Sequence, residues 1–258
     1  MRYLLILLLT SLSGWSLPLN LPFINPPLAS GGLTNVTGSI SNWWRFDDNG
    51  GTTATNAVVA NAANTGTLNF TGGGANPTWV SGKIGQALQF DGIGSEVDLA
   101  INNANGSVPC TLSAWLYRTA SGGTIIYDSD SDGSAGWFFY VSSGKIVFQV
   151  PGAASDMVVS ITDSSSSSTW YHVCVTWDGN NLSTAGTHIY INGTEGSYVT
   201  QTAGSGSHGP YAAGLRFVGK GGTGASGFWT GKIDDVRVYG RALSSGEVNV
   251  LYQWSGQP

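Results

Sequence analysis

The chain has 258 residues, of which 10% are charged, and it carries a formal net charge of -5. That length is enough for one large all-β domain with a sizeable core, and an acidic, charge-poor surface excludes a partner recognised through its nucleic-acid phosphates. Two cysteines, Cys110 and Cys174, suit an oxidising compartment but are too few for a disulfide framework.

Met1-Arg2-Tyr3 followed by the apolar run Leu4 to Leu9 predicts a secretory signal peptide over 1–16. The run is too short for a bilayer, which needs about 20 apolar residues, so no transmembrane span is expected after its removal. Residues 17–38 contain four prolines and little periodicity, which predicts a lead-in or linker before a single domain over 39–258. Ser39 to Phe46 opens that domain as a strand. Short strands are expected around Leu68 to Phe70, at Trp79-Val80, over Ala87 to Phe90 and over Glu96 to Leu99. Thr111 to Tyr117 is apolar on both faces, as a central strand is. Thr124 to Tyr127, Trp137 to Val141 and Lys145 to Val150 form a meander with turns at Asp132-Gly133 and Ser143-Gly144.

After the serine run Ser164 to Ser168, the stretch Thr169-Trp-Tyr-His-Val-Cys-Val-Thr-Trp-Asp-Gly179 places Tyr171, Val173, Val175 and Trp177 on one face of a core strand. It pairs with His188 to Ile191, which runs into the hairpin cue Asn192-Gly193. Leu215 to Gly219 and Ile233 to Tyr239 are the last strands. Ser244 with Glu247 three residues later is a capping box for a short helical turn through Leu251.

The hairpin just described, together with Gly82-Lys-Ile-Gly-Gln-Ala-Leu-Gln-Phe-Asp-Gly92 and Gly231-Lys-Ile-Asp-Asp-Val-Arg-Val-Tyr239 with Arg241-Ala-Leu-Ser244, resembles laminin-G-like and pentraxin-like jelly rolls of the concanavalin A-like lectin/glucanase group. The resemblance runs from about Ser39 to Gln253. It implies an all-β, two-sheet antiparallel sandwich and an extracellular binding module. In the pentraxin-like pattern Cys174 matches a bridged cysteine whose partner falls at Ser113, three residues from Cys110. A Cys110–Cys174 disulfide and a pair of buried free thiols therefore stand as alternatives.

Asp128, Asp130 and Asp132 alternate before Gly133, a spacing that lets one loop wrap calcium with oxygen ligands. The twelfth position of an EF-hand loop is Phe139 here, so any such site is completed from other loops. The pentraxin-like resemblance implies a metal loop at Asp132, and laminin-G-like relatives imply an alternative site from Asp47, Asp91 and Asp234. Among the aromatics, Trp43 or Trp44, Trp115, Trp170 or Trp177, and Trp229 lie in strand patterns. Trp137 and Tyr211, in or beside loops, are the candidates for ligand contact.

Glycoside hydrolysis needs two carboxylates about the scissile bond. Glu96-Val97-Asp98 is similar to the start of the glucanase E-x-D-x-x-E motif, but the last acid position is Ile101. No catalytic residue is expected. His172 is expected to be structural, and His188 and His208 lack ligand spacing. The expected function is a secreted, non-catalytic module that recognises a glycan or an extracellular protein surface, with calcium as its cofactor. Its alternatives are a structural or decoration protein of an envelope or virion, and an unusual glycosidase.

Overall fold

The computed structural model describes residues 36, 38–100, 110–120, 122–129, 133–179, 182–208, 214–222 and 227–254. Its strands form two antiparallel sheets that share one apolar core. The eight-stranded sheet has the order β14 (Thr194–Glu195), β13 (Thr187–Ile191), β12 (Trp170–Trp177), β7 (Cys110–Arg118), β17 (Thr230–Tyr239), β5 (Gln86–Asp91) and β4 (Thr78–Ser81), with β1 (Ile40–Trp44) also paired to β17. The nine-stranded sheet has the order β15 (Tyr198–Thr202), β11 (Met157–Thr162), β10 (Lys145–Val150), β9 (Gly136–Ser142), β8 (Gly123–Ser129), β16 (Leu215–Val218), β6 (Ser95–Leu99), β3 (Gly66–Phe70) and β2 (Thr53–Ala54). This is the jelly-roll sandwich that the sequence motifs imply. β11 and β15, the outer strands of the meander, were not expected from the sequence.

β12 organises the first sheet. Tyr171, Val173, Val175 and Trp177 turn into the inter-sheet core, and each fully buried side chain of this kind stabilises the fold by about 1.5–3 kcal/mol. Trp44, Trp177 and Trp229 are wholly buried and Trp115 nearly so, whereas Trp43 and Trp170 are half-buried. The β13–β14 hairpin turns at Asn192 (φ 50) and Gly193 (φ 75), both left-handed, as a tight two-residue loop requires.

The other face of β12 is covered by α1 (Ser245–Gln253). Ser244 and Glu247 form the predicted capping box, and Val248 and Leu251, three residues apart, pack on Cys174, Tyr190 and Tyr239. The outer face of the eight-stranded sheet is thus partly closed by the helix, with Val36 beside it.

Cys110 and Cys174 are both free and buried. Register explains why no bridge forms. Cys174 stands opposite Ser113 and Cys110 opposite Trp177, so the two lie three residues apart along paired strands and point to opposite faces. At about 3.3 Å per residue their Cα atoms are roughly 11 Å apart, beyond the reach of a disulfide. Cys110 belongs to the inter-sheet core and Cys174 to the cluster under α1. Burial pushes both thiols well above their ordinary range. The native protein is therefore expected to resist a thiol reagent and to release two equivalents only on unfolding, with no change of Tm in reductant. A Tm that falls in reductant would contradict this assignment.

β17 changes partner half-way. Its first residues pair with β5 and its last with β1, and the register breaks between Asp234 and Arg237. Asp235 adopts a left-handed backbone there, φ 53, as a bulge allows. Its carboxylate accepts from the Trp43 indole at 2.6 Å and pairs with Arg237 at 2.8 Å. Asp234 points instead to the turn between β4 and β5.

Candidate functional site

Unlike its partner, the nine-stranded sheet carries no α-helix among the described residues. Val97, Val218, Trp137, Phe139, Phe148 and Val159 fill its inner face, so their strand neighbours turn outward. The register lines these up across the sheet. Asp98 stands opposite Phe217, Phe217 opposite Tyr127, Tyr127 opposite Phe138, Phe138 opposite Gln149, and Gln149 opposite Val158. From Asp98 to Gln149 the row crosses five strands, roughly 19 Å at the usual strand spacing. A second row runs Tyr140, Val147, Ser160 and Thr200.

The centre of this face is aromatic. Tyr127 stacks on Phe138 with ring centroids 4.9 Å apart and planes 7° apart, and Phe217 follows at 6.0 Å. Tyr127 and Phe217 are almost covered, while Phe138 and Tyr140 remain half-exposed. Polar groups frame the rings. The Tyr140 hydroxyl donates to Gln149 Oε1 at 2.9 Å, and Gln149 Nε2 donates to Asp156 at 2.7 Å. Burial, with the Asp156 charge, raises the Tyr140 phenol above its ordinary value. At the other end, Lys220 Nζ lies 4.3 Å from the Phe217 ring centre and 2.6 Å from Glu96 Oε2, and Thr71 donates to Glu96 Oε1 at 2.7 Å. Asp98 accepts from Asn69 at 2.8 Å, and burial pushes its carboxyl up.

The residues singled out from sequence scatter. Asp128 is buried, 8% exposed, and faces the core opposite Trp137, where Arg216 Nε pairs with it at 2.8 Å. It belongs to an interior ion pair rather than to a rim. Asp130, Asp132 and Tyr211 lie outside the described residues. Trp137 is a core side chain, 4% exposed, and it is its neighbour Phe138 that faces outward.

Asp47 and Asp234 meet on the β4–β5 turn, while Asp91 serves another. Asp234 Oδ2 accepts from the amides of Lys83 and Ile84 at 2.8 and 2.9 Å, and Asp47 Oδ1 accepts from the Gln86 amide at 2.8 Å. Glycine is required on this turn: a Cβ at Gly82 would lie 2.6 Å from Asp234 Oδ2 and one at Gly85 2.2 Å from Asp47 Oδ1. Asp234 Oδ1 and Gln86 Oε1 are buried without a hydrogen-bond partner. Burial, then the charges of Asp235 and Asp47 against the two amide bonds, pushes the Asp234 carboxyl up to about 8. Asp91 accepts from four backbone amides, Ala75, Ile93, Gly94 and Ser95, which hold it far below the usual carboxylate range despite partial desolvation.

His172 bonds Ser113 Oγ at 2.8 Å inside the protein, and burial depresses it to about 3, with the Arg237 charge adding to the effect. It is neutral and sealed from solvent, a structural histidine. His208 lies edge-on to Trp177 at 5.6 Å.

The family model of the concanavalin A-like lectin/glucanases superfamily matches residues 91–249. No curated protein matches the chain. Among solved structures, the binding domain of botulinum neurotoxin serotype D superposes with a TM-score of 0.62 at 14% identity, covering 85% of this chain and 52% of that one. A botulinum neurotoxin type C structure, whose cell entry is described as dependent on two ganglioside molecules, gives 0.62 at 15% identity, with 85% and 52% covered. The binding domain of Paraclostridial Mosquitocidal Protein 1 gives 0.58 at 15%, with 84% and 52% covered. The chain thus spans about half the length of these structures, and at such identities the likeness is one of fold.

Proposed function

The chain belongs to the concanavalin A-like lectin/glucanases superfamily, and on that footing we propose that it is a secreted, non-catalytic module that binds a glycan across the outer face of its nine-stranded sheet. The observation that carries this reading is the pair of half-exposed rings, Phe138 and Tyr140, beside the hydrogen-bonded Gln149 and Asp156. Sugars offer apolar C–H faces edged by hydroxyls, and aromatic rings flanked by amide and carboxylate groups match both. The row of outward residues favours an extended oligosaccharide laid across the strands. The likeness in fold to a domain described in complex with N-acetylneuraminic acid, and to one described with gangliosides, supports a glycan as the ligand class. Secretion is supported by the leader-like Met1 to Leu9, and among the described residues no helix is long and apolar enough to cross a membrane.

Against a hydrolase stands the state of the one acidic pair on this face. Both oxygens of Glu96 are held, by Thr71 and by Lys220, so Asp98 lacks a second free carboxylate in Glu96 with which to form a catalytic pair. An array of sialylated and neutral oligosaccharides, with and without calcium, tests the proposal. Saturable retention of one glycan class without turnover is expected; retention of none would overturn it.

Calcium is proposed at the β4–β5 turn. Among the described residues no three His, Cys, Asp or Glu side chains gather into a metal site. Two carboxylates with amide oxygen nevertheless suit a hard cation, and the unpartnered buried Asp234 Oδ1 and Gln86 Oε1 fit that role. Without the ion, the folded state holds a proton on Asp234 that the unfolded chain releases near its ordinary value of 3.8. This contribution to stability is present below about pH 4 and is lost as pH rises toward 8. In chelator, the wild type should therefore lose Tm relative to Asp234→Asn between about pH 5 and pH 8. Millimolar calcium should restore about 5 °C to the wild type alone. An unchanged wild-type Tm on adding calcium at pH 8 would remove the ion from the account.

A further inference from the structure

A second recess lies away from the aromatic face, on the outer side of the eight-stranded sheet between its β13–β14 edge and the segment that leads into α1. It is an open cleft of about 460 Å³, and its lining includes Asp178, His188, Tyr190, Glu195 and Ser244. Register builds its floor. His188 stands opposite Thr176, and Tyr190 opposite Glu195, all on the face that also carries Cys174.

The polar floor presents acceptors. His188 Nδ1 lies 2.8 Å from Glu195 Oε1, and the Tyr198 hydroxyl bonds the same oxygen. Two donors on one oxygen hold the Glu195 carboxyl below its usual value in spite of partial burial. Because an ionised carboxylate only accepts, His188 donates to Glu195 through Nδ1. The Glu195 and His188 side chains of this couple are 39% and 43% exposed. Asp178 adds a second carboxylate at the far end, seated against Gly186, where a Cβ would lie 2.0 Å from it. Among the described residues no lysine or arginine lines the cleft. The nearby Arg241 is taken up by Glu247.

A recess with two carboxylates and, among the described residues, no lysine or arginine disfavours anions and suits a ligand that donates. We infer that this cleft binds an ammonium or guanidinium group, either of a small amine or of a basic side chain on a partner polypeptide. The Tyr190 ring in the floor suits the same charge, since cations are drawn to aromatic faces. The site is separate from the aromatic face and stands or falls independently of glycan binding.

The test is a titration of the full chain with Nα-acetyl-lysine amide, Nα-acetyl-arginine amide and, as neutral and anionic controls, acetamide and acetate, following the His188 ring resonances by NMR. A saturable shift with either cation and none with the controls is expected. Glu195→Gln should weaken the cation at least tenfold, and Asp178→Asn should weaken it as well. Tighter binding of a lysine- or arginine-containing peptide than of the single amides assigns the source to a polypeptide; equal binding assigns it to a free amine. No saturable shift with either cation, an equal shift with acetamide, or full retention of affinity in Glu195→Gln would each overturn the inference.

Discussion

Replacing Arg216 by Met is expected to lower the stability of the fold by about 3–5 kcal/mol, measured as the loss of unfolding free energy in urea. Asp128 would then keep its charge inside the sandwich with the guanidinium at 2.8 Å gone, among Trp137 and the core side chains around it. The same reasoning predicts the rescue. Arg216→Met combined with Asp128→Leu removes both charges and fills the space with apolar atoms, so most of the loss should be recovered. A loss under about 1 kcal/mol for Arg216→Met would instead mark the pair as a solvated surface bridge.

That pair also shows where sequence patterns stop short. Asp128 alternates with two further acids before a glycine, which on paper suits a metal loop, yet the alternation of β8 is broken by a register shift between Thr124 and Ile126. With one residue of slip, every later side chain changes face. Asp128 is thereby carried inward. Trp137 fails as a ligand contact for a related reason: both faces of β9 are aromatic, so composition cannot say whether Trp137 and Phe139 or Phe138 and Tyr140 meet solvent. Only the packing of Trp137 and Phe139 against the opposite sheet decides it.

Elsewhere the residues carried their own answer. Tyr171, Val173, Val175 and Trp177 share the inner face of β12 because nothing interrupts their period of two, and Ser244 with Glu247 starts α1 because the cap satisfies helix amides locally. β11, Met157-Val158-Val159-Ser160-Ile161-Thr162, was missed because it stands beside a loop of small residues, and β15 because it is a mostly polar edge strand with little alternation. The Asp47 and Asp234 pairing depends on a bulge in β17 and a turn some 150 residues earlier. The laminin-G-like resemblance grouped those two acids with Asp91, whose four amide partners give it a different, purely local duty.

The aromatic face is the claim on which the functional account turns, and it makes the second large prediction. Phe138→Ala with Tyr140→Ala removes the half-exposed rings while leaving the buried Tyr127, Phe217, Trp137 and Phe139 in place. Truncating two central aromatic contacts should cost about 2–3 kcal/mol of binding, roughly a 100-fold rise in Kd for the glycan retained on the array. Gln149→Ala should weaken it less, since its amide also bonds Tyr140 and Asp156.

The most direct measurement is isothermal titration of that glycan into the wild type and into the Phe138→Ala/Tyr140→Ala double variant, with circular dichroism and Tm confirming that both are folded. A folded variant that has lost at least 100-fold in affinity is the predicted result. A folded variant that binds the glycan as tightly as the wild type would show that the ligand is held somewhere else on the molecule.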